Sequence, residues 1–226
     1  DTTVQEKNIT FPTDTKLHIK MINECRNFAN KNGIKLRQSY TRKMKDLTKQ
    51  VRFGKGKKQA AIKRKAARKI LTIAKRLIRE LQRKLSTVPS VIKRMTFFEE
   101  VLKRQSEGKN KIYSLHEPDV KCHSKGKIHK KYEYGNKVSI ASTLNTNVVV
   151  SVVSFTQNIH DSKTLPATVD FHKEITDVTA KKVYYDRGGR GIKKVGETEI
   201  IIPESGKGKT DYHKRKAKRN FGRRSA

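Results

Sequence analysis

The chain has 226 residues, enough for one substantial domain or for a domain that carries a large insertion. Its 54 Lys and Arg stand against 21 Asp and Glu, a formal net charge of +33, so it is expected to meet a polyanion, with nucleic acid ahead of an anionic membrane surface. No apolar run reaches the ~18 residues that read as a bilayer span, and the densest patch, Val148 to Val153, falls far short.

In chain order, Asp1-Thr2-Thr3 is too polar to begin a signal peptide, which points to an intracellular setting. No initiator Met precedes Asp1, so a chain cut from something longer is expected. Residues 1–12 read as the end of a strand running into a turn punctuated by Pro12. Thr13 or Asp14 then caps a helix with Leu17, Met21, Cys25 and Phe28 on one face, ended by Gly33. A second helix is predicted from about Leu36, through Tyr40, Met44, Leu47 and Val51, to a break at Phe53-Gly54-Lys55-Gly56. The third helix is the clearest: Ile62, Ala66, Ile70, Ile73, Leu77 and Leu81 form a stripe at helical spacing. Its other faces are almost wholly basic, and Arg64, Arg68 and Arg79 are candidate phosphate contacts. Pro89 opens a fourth helix with Val91, Met95, Phe98 and Leu102 inward.

From Lys111 the period turns to β. Strands are predicted at Ile112–Leu115, at Tyr132–Thr143 and at Val148–Phe155, the last two joined by an Asn145-Thr146-Asn147 turn. Cys122 lies among His116, His123 and His129, but the spacing fits no closed zinc site; these histidines are expected to be exposed or to contact phosphate. The two cysteines, Cys25 and Cys122, suggest no disulfide framework. A helix over Thr164–Ile175 with Leu165, Val169 and His172 inward, a strand at Val183–Asp186 and another at Glu199–Ile202 complete the pattern. Asp161 reads as an N-terminal cap, with a supporting role near metal as the alternative. Gly54-Lys55-Gly56-Lys57 and Gly206-Lys207-Gly208-Lys209 lack the strand–loop–helix setting of a phosphate loop, so no nucleotide cofactor is expected.

Asp186 carries the most information. A β-forming run delivers it to the glycine break of Asp186-Arg187-Gly188-Gly189-Arg190, a candidate metal ligand or base that Arg187 and Arg190 would keep ionised and that those arginines could join in meeting phosphates. An ordinary Asp-Arg-Gly turn is the plain alternative.

The ordered series Asp1-Thr2-Thr3-Val4-Gln5-Glu6, Ile112-Tyr113-Ser114-Leu115-His116-Glu117-Pro118, Lys125-Gly126-Lys127, Tyr132-Glu133-Tyr134-Gly135-Asn136-Lys137 and Asp186-Arg187-Gly188 resembles bacterial insertion-sequence transposases of the DDE class, nearest the insertion-sequence-five type. The resemblance implies an α/β fold, an RNase H-like mixed sheet with a large all-helical insertion after the first strand. It implies a division into residues 1–13, the end of the first core strand; 14–110, the basic helical insertion; 111–205, the rest of the catalytic core; and 206–226, a basic tail leading to a final helix. The first and fourth strands would lie side by side, bringing the catalytic, metal-binding pair Asp1 and Asp186 to two Mg²⁺ (or Mn²⁺) ions for DNA cleavage and strand transfer. Lys125, Lys127, Lys137, Arg187 and Arg190 would join the helical arginines on DNA. The third carboxylate, a Glu, would lie beyond Ala226, so the chain is expected to be a catalytic-core fragment unable to cut DNA alone. Gly189 stands where the family usually has an aromatic, which is expected to loosen packing beside Asp186. A bacterial cytoplasmic, nucleoid-associated location and a homo-oligomeric active complex follow from the same resemblance, with no membrane partner. The competing class is a non-catalytic basic nucleic-acid-binding protein.

Overall fold

The computed structural model describes residues 1–53, 55–124, 129, 131–203 and 210–215. The chain forms two compact units, one of Ile9–Pro118 and one made of Asp1–Asn8 with the chain from Asp119 onward.

The first of these is helical. In α1 (Asp14–Lys31) Thr13 is the cap, its Oγ1 accepting from Lys16 N, and Leu17, Met21, Ile22, Cys25 and Ala29 are buried. Helix α2 spans Thr41–Arg52, five residues short of the predicted start at Leu36. The reason is local: Tyr40 adopts a left-handed conformation (φ 56°), and the Arg37 N–H is committed to Glu80 Oε1 at 2.7 Å instead of to a helix. Helix α3 spans Lys57–Lys84 and buries Ala66, Ile70, Ile73, Ala74, Leu77, Ile78 and Leu81. Each large aliphatic side chain so buried contributes about 1.5–3 kcal/mol, whereas Ile62, at the head of the predicted stripe, stays exposed. Helix α4 spans Pro89–Glu107 with the proline in its first turn, where a missing N–H costs nothing, and buries Val91, Met95, Phe98 and Val101. No helix among the described residues is long and apolar enough to cross a membrane. Cys25 and Cys122 are both free thiols.

The predicted strand at Ile112–Leu115 does not form. Ile112 and Leu115 are buried in the helical core instead. Arg94 fastens the segment there: its guanidinium donates to the Leu115 carbonyl at 3.1 Å, grips both carboxylate oxygens of Glu24 and lies 5.0 Å from the centre of the Phe98 ring.

In the other unit, β3 (Tyr132–Ser142) is the central strand of an antiparallel sheet. Strand β1 (Thr2–Glu6) pairs along one edge of it. The opposite edge takes β2 (Lys121–Ser124), a strand the sequence did not suggest, and then β4 (Val149–Phe155). Gly135 is required where β1 passes, because a Cβ there would run into the Gln5 carbonyl and lie 2.9 Å from Glu6 Cα. Helix α5 (Thr164–Thr176) packs on β3 and β4, with Ser151 Oγ donating to the Thr168 carbonyl. It buries Thr164, Leu165 and Thr168, while Val169 and His172 are only half-buried.

A second sheet is small and mixed: β5 (Lys182–Tyr184) runs parallel to β7 (Thr198–Ile201), which pairs antiparallel with β6 (Lys194–Val195). The single mixed sheet expected from the sequence is therefore two sheets. Among the described residues no ladder joins β1 to β5, the strand expected beside it; β5 is taken by β7.

Candidate functional site

Asp186 follows β5 and caps the short 3₁₀ turn Arg187–Gly189, its Oδ1 accepting the Gly188 N–H at 2.7 Å. The turn reading of this Asp is thus realised in the backbone. That bond fixes one carboxylate oxygen at the head of the turn.

The neighbour it faces is Asp161. A Cβ placed on Gly188 would lie 2.8 Å from Asp186 Oδ1 and 3.2 Å from Asp161 Oδ2, so the two oxygens are separated by no more than the sum of those distances. Asp161 is not the cap expected from sequence. His160 fills that position, its Nδ1 accepting from Ser162 N, and Asp161 opens the turn with its carboxylate directed elsewhere. That carboxylate is held by Lys137 of β3, whose ammonium sits 2.7 Å from Asp161 Oδ1 and also donates to the Ile159 carbonyl.

Asp1 is placed by the sheet and by its own neighbour. Its backbone exchanges hydrogen bonds with Ile140, and its Oδ1 accepts from Thr2 N. The Thr2 hydroxyl meets the Tyr185 hydroxyl and the Thr164 hydroxyl, joining positions 183 apart in sequence across the unit. Both backbone bonds of Asp1 continue the ladder of β1 with β3. Asp1 and Asp186 are therefore each one residue from opposite ends of the Thr2–Tyr185 bond.

Tyr185 is the pivot. It is 2% exposed, and its hydroxyl also donates to the Asp161 carbonyl. Burial pushes the phenol above its ordinary range, and the Asp161 and Asp186 charges push the same way against the hydrogen bonds to Thr164 and Thr2, so it stays a protonated donor. Gly189 makes room for this ring: a Cβ there would lie 2.6 Å from Tyr185 Cδ1. The loosening expected from a glycine at that position is not what the structure has, because Tyr185 fills the space.

Several expected contacts are placed differently. Arg187 and Arg190 are exposed and enter no ion pair among the described residues, whereas Lys137 pairs with Asp161. Lys137 in turn is committed to Asp161 and largely covered, not an open phosphate contact. Lys125 and Lys127 lie outside the described residues. His123, expected exposed or on phosphate, is buried with Nε2 at the Gly135 carbonyl, whereas His116 and His129 are exposed as expected, His116 Nδ1 meeting Ser114 Oγ. Arg64, Arg68 and Arg79 stand on exposed parts of α3, Arg79 folding back to donate to the Lys75 carbonyl.

Carboxylate oxygens are the donors that a hard divalent cation takes. Asp1 and Asp186 fit in kind, but among the described residues no group of three or more His, Cys, Asp or Glu side chains is arranged to hold a metal.

No family model matches the chain, and no solved structure matches it. A 42-residue stretch is 55% identical to a protein of Rhizobium meliloti described as "Uncharacterized protein ORF8 in nfe locus", a similarity covering 19% of this chain and 20% of that protein. The match spans about one fifth of that relative's length, and its description names no activity.

Proposed function

We propose that the chain is the catalytic core of a DNA transposase of the DDE class, acting by phosphoryl transfer on the DNA backbone. The observation that supports the reading best is the convergence of Thr2 and Tyr185, which gathers the neighbours of both carboxylates named by the family resemblance. The strand series β1, β3, β4, then α5 and β5, is compatible with an RNase H-like core whose fourth strand has been drawn to β7. Asp1 and Asp186 would hold divalent metal, with Mg²⁺ or Mn²⁺ supplying activation of a water or 3′-hydroxyl and stabilisation of the leaving oxygen. Asp161 is a positioning residue in this scheme: paired to Lys137, it keeps a second carboxylate beside Asp186 with its charge partly compensated. Tyr185 holds the start of β1 to the end of β5 through its buried hydroxyl. DNA is the partner, a homo-oligomer the active complex, and the bacterial cytoplasm its location. Strand cleavage requires a further carboxylate beyond those gathered here.

A second reading, a non-catalytic basic nucleic-acid-binding protein, draws on the basic surface of α3 and on the incomplete acidic set. Calorimetric titration of the chain and its Asp186→Asn variant with Mn²⁺ separates the two. Saturable binding lost in the variant, with both proteins equally folded by circular dichroism, is the expected result. Identical titrations for both, beside unchanged DNA affinity, would sink the transposase reading and leave the basic binder.

A further inference from the structure

Helices α2 and α3 of the helical unit enclose an open depression of about 300 Å³. Lys43 of α2 and Lys65, Arg68, Lys69 and Arg76 of α3 line it. Its floor is Tyr40 and Ile73, both buried, and Thr72 adds a hydroxyl to the wall. No acidic side chain lines it, and none of the five cations enters an ion pair among the described residues. The one acid on α3, Glu80, is occupied elsewhere by Lys84 Nζ and the Arg37 N–H.

Such an arrangement works against the fold. Like charges one helical turn apart destabilise a helix by about 0.2–0.5 kcal/mol per pair, and Lys65 and Lys69 are such a pair. Tyr40, in the floor of the same depression, adds a left-handed conformation that a bulky side chain rarely adopts. Concentrated like charge and local backbone strain at one place point to a ligand, not to solvation.

We propose that the α2–α3 depression is a docking surface for the phosphate backbone of duplex DNA, held by Lys43, Lys65, Arg68, Lys69 and Arg76. At 1.5 Å per residue the cations from Lys65 to Arg76 extend over about 16 Å of helix, long enough to face several phosphates of one strand spaced at ~3.4 Å along the duplex axis. Single strands are disfavoured because the aromatic in the depression, Tyr40, is sunk in the floor and offers no stacking platform. A lipid surface is disfavoured because the apolar residues lie beneath the cations instead of projecting beyond them. The surface differs from the one expected from sequence: Arg68 is kept, and Arg64 and Arg79 are outside the lining. The assignment goes beyond the transposase reading, since it holds for a catalytic and a non-catalytic DNA-binding chain alike.

The test compares two full-length variants of equal net charge. One carries Lys43→Gln, Lys65→Gln, Lys69→Gln and Arg76→Gln; the control carries Lys31→Gln, Lys93→Gln, Lys103→Gln and Lys109→Gln, exposed positions away from the depression. Affinity for a short duplex is read by fluorescence anisotropy across a salt series, with circular dichroism to verify that both variants keep the helical content of the parent. The groove variant should lose on the order of 100-fold at moderate salt, and its log–log salt slope should shrink by about 0.9 for each phosphate contact removed. The control should keep most of the parent's affinity and slope. Equal losses in both variants would overturn the proposal, reducing the effect to net charge. Stronger retention on phosphatidylserine vesicles than on duplex, abolished in the groove variant, would overturn it in favour of a lipid surface. Mn²⁺ titration of the groove variant should match the parent, so failure of this assignment and failure of the metal site are read separately.

Discussion

Replacing Gly189 with alanine tests whether Tyr185 is the pivot of the candidate site. The backbone there is not in the left-handed region, so the substitution acts through space alone. The new Cβ would lie 2.6 Å from Tyr185 Cδ1, 3.2 Å from Cε1 and 3.3 Å from Leu165 Cδ1. Carbon atoms rest at ~3.5–4.0 Å, so the ring must retreat by about 1 Å. It has little room to do so, being 2% exposed and bonded through its hydroxyl to Thr2, Thr164 and the Asp161 carbonyl. Overpacking of this kind costs about 1–3 kcal/mol and a lost buried hydrogen bond about 1 more, so about 2–4 kcal/mol in all. Hydrogen exchange read by mass spectrometry reports the two units separately, which a global melt does not. Peptides covering β1, α5 and β5 should exchange faster by on the order of 30- to 700-fold at ~1.4 kcal/mol per tenfold, while peptides of α1 to α4 stay unchanged. Exchange of the first group within threefold of the parent would refute the view that Tyr185 fills the space of the missing side chain.

Lys137→Met should destabilise the same unit by about 2–3 kcal/mol, because Asp161 Oδ1 and the Ile159 carbonyl both lose a charged donor. Adding Asp161→Asn should recover part of that loss, and a double-mutant cycle with no coupling would show that the pair is incidental. His18 gives the helical unit a pH dependence. Burial lowers its basicity, outweighing the hydrogen bond to Gln105 and the nearby Asp14, with Lys75 acting in the same direction as burial. The folded state therefore takes up the proton less readily than the unfolded chain. Stability is complete above pH 6.5, the ordinary value for the group, and falls as pH drops through and below it. His18→Gln should flatten the part of the urea midpoint's decline that begins there, and an unaltered profile would assign the decline to other groups.

What the sequence revealed depended on whether the deciding force was local. The α3 stripe was legible because seven buried positions repeat at helical spacing, and burial in the core follows that repeat. Residues 112–115 misled for the opposite reason. Alternating apolar residues suit a strand, but they also suit an extended chain laid on helices, and what settles the matter is Arg94, eighteen or more positions upstream. The late start of α2 was equally hidden, since it hangs on a bond from Arg37 to Glu80. At the site, the glycine break after Asp186 was visible, and so was the turn. Asp161 was misjudged as a cap because its neighbours supply a helix start, yet the imidazole of His160 meets the cap requirement and frees the carboxylate for Lys137, 24 positions away. Strands β2 and β6 are too short to carry a period of their own and owe their state to longer partners.

The two units manage charge by different means, and this bears on what each is for. In the unit that holds Asp186, the carboxylates at the turn are drawn together and Lys137 compensates one of them at short range. That is a local balance, one that a divalent cation would extend because it meets carboxylates directly. The helical unit has no such balance on its α2–α3 face. Its apolar stripe already provides the core, so nothing about folding requires Lys43, Lys65, Arg68, Lys69 and Arg76 to crowd one depression. At an ionic strength near 0.15 M the screening length is ~8 Å, longer than the ~5–6 Å between side chains one turn apart, so salt alone does not remove their repulsion. A polyanion with closely spaced charges does. The carboxylates of one unit are thus balanced at short range, and the cations of the other are not. In the reading proposed above, the carboxylate turn serves metal and the basic depression serves the DNA backbone.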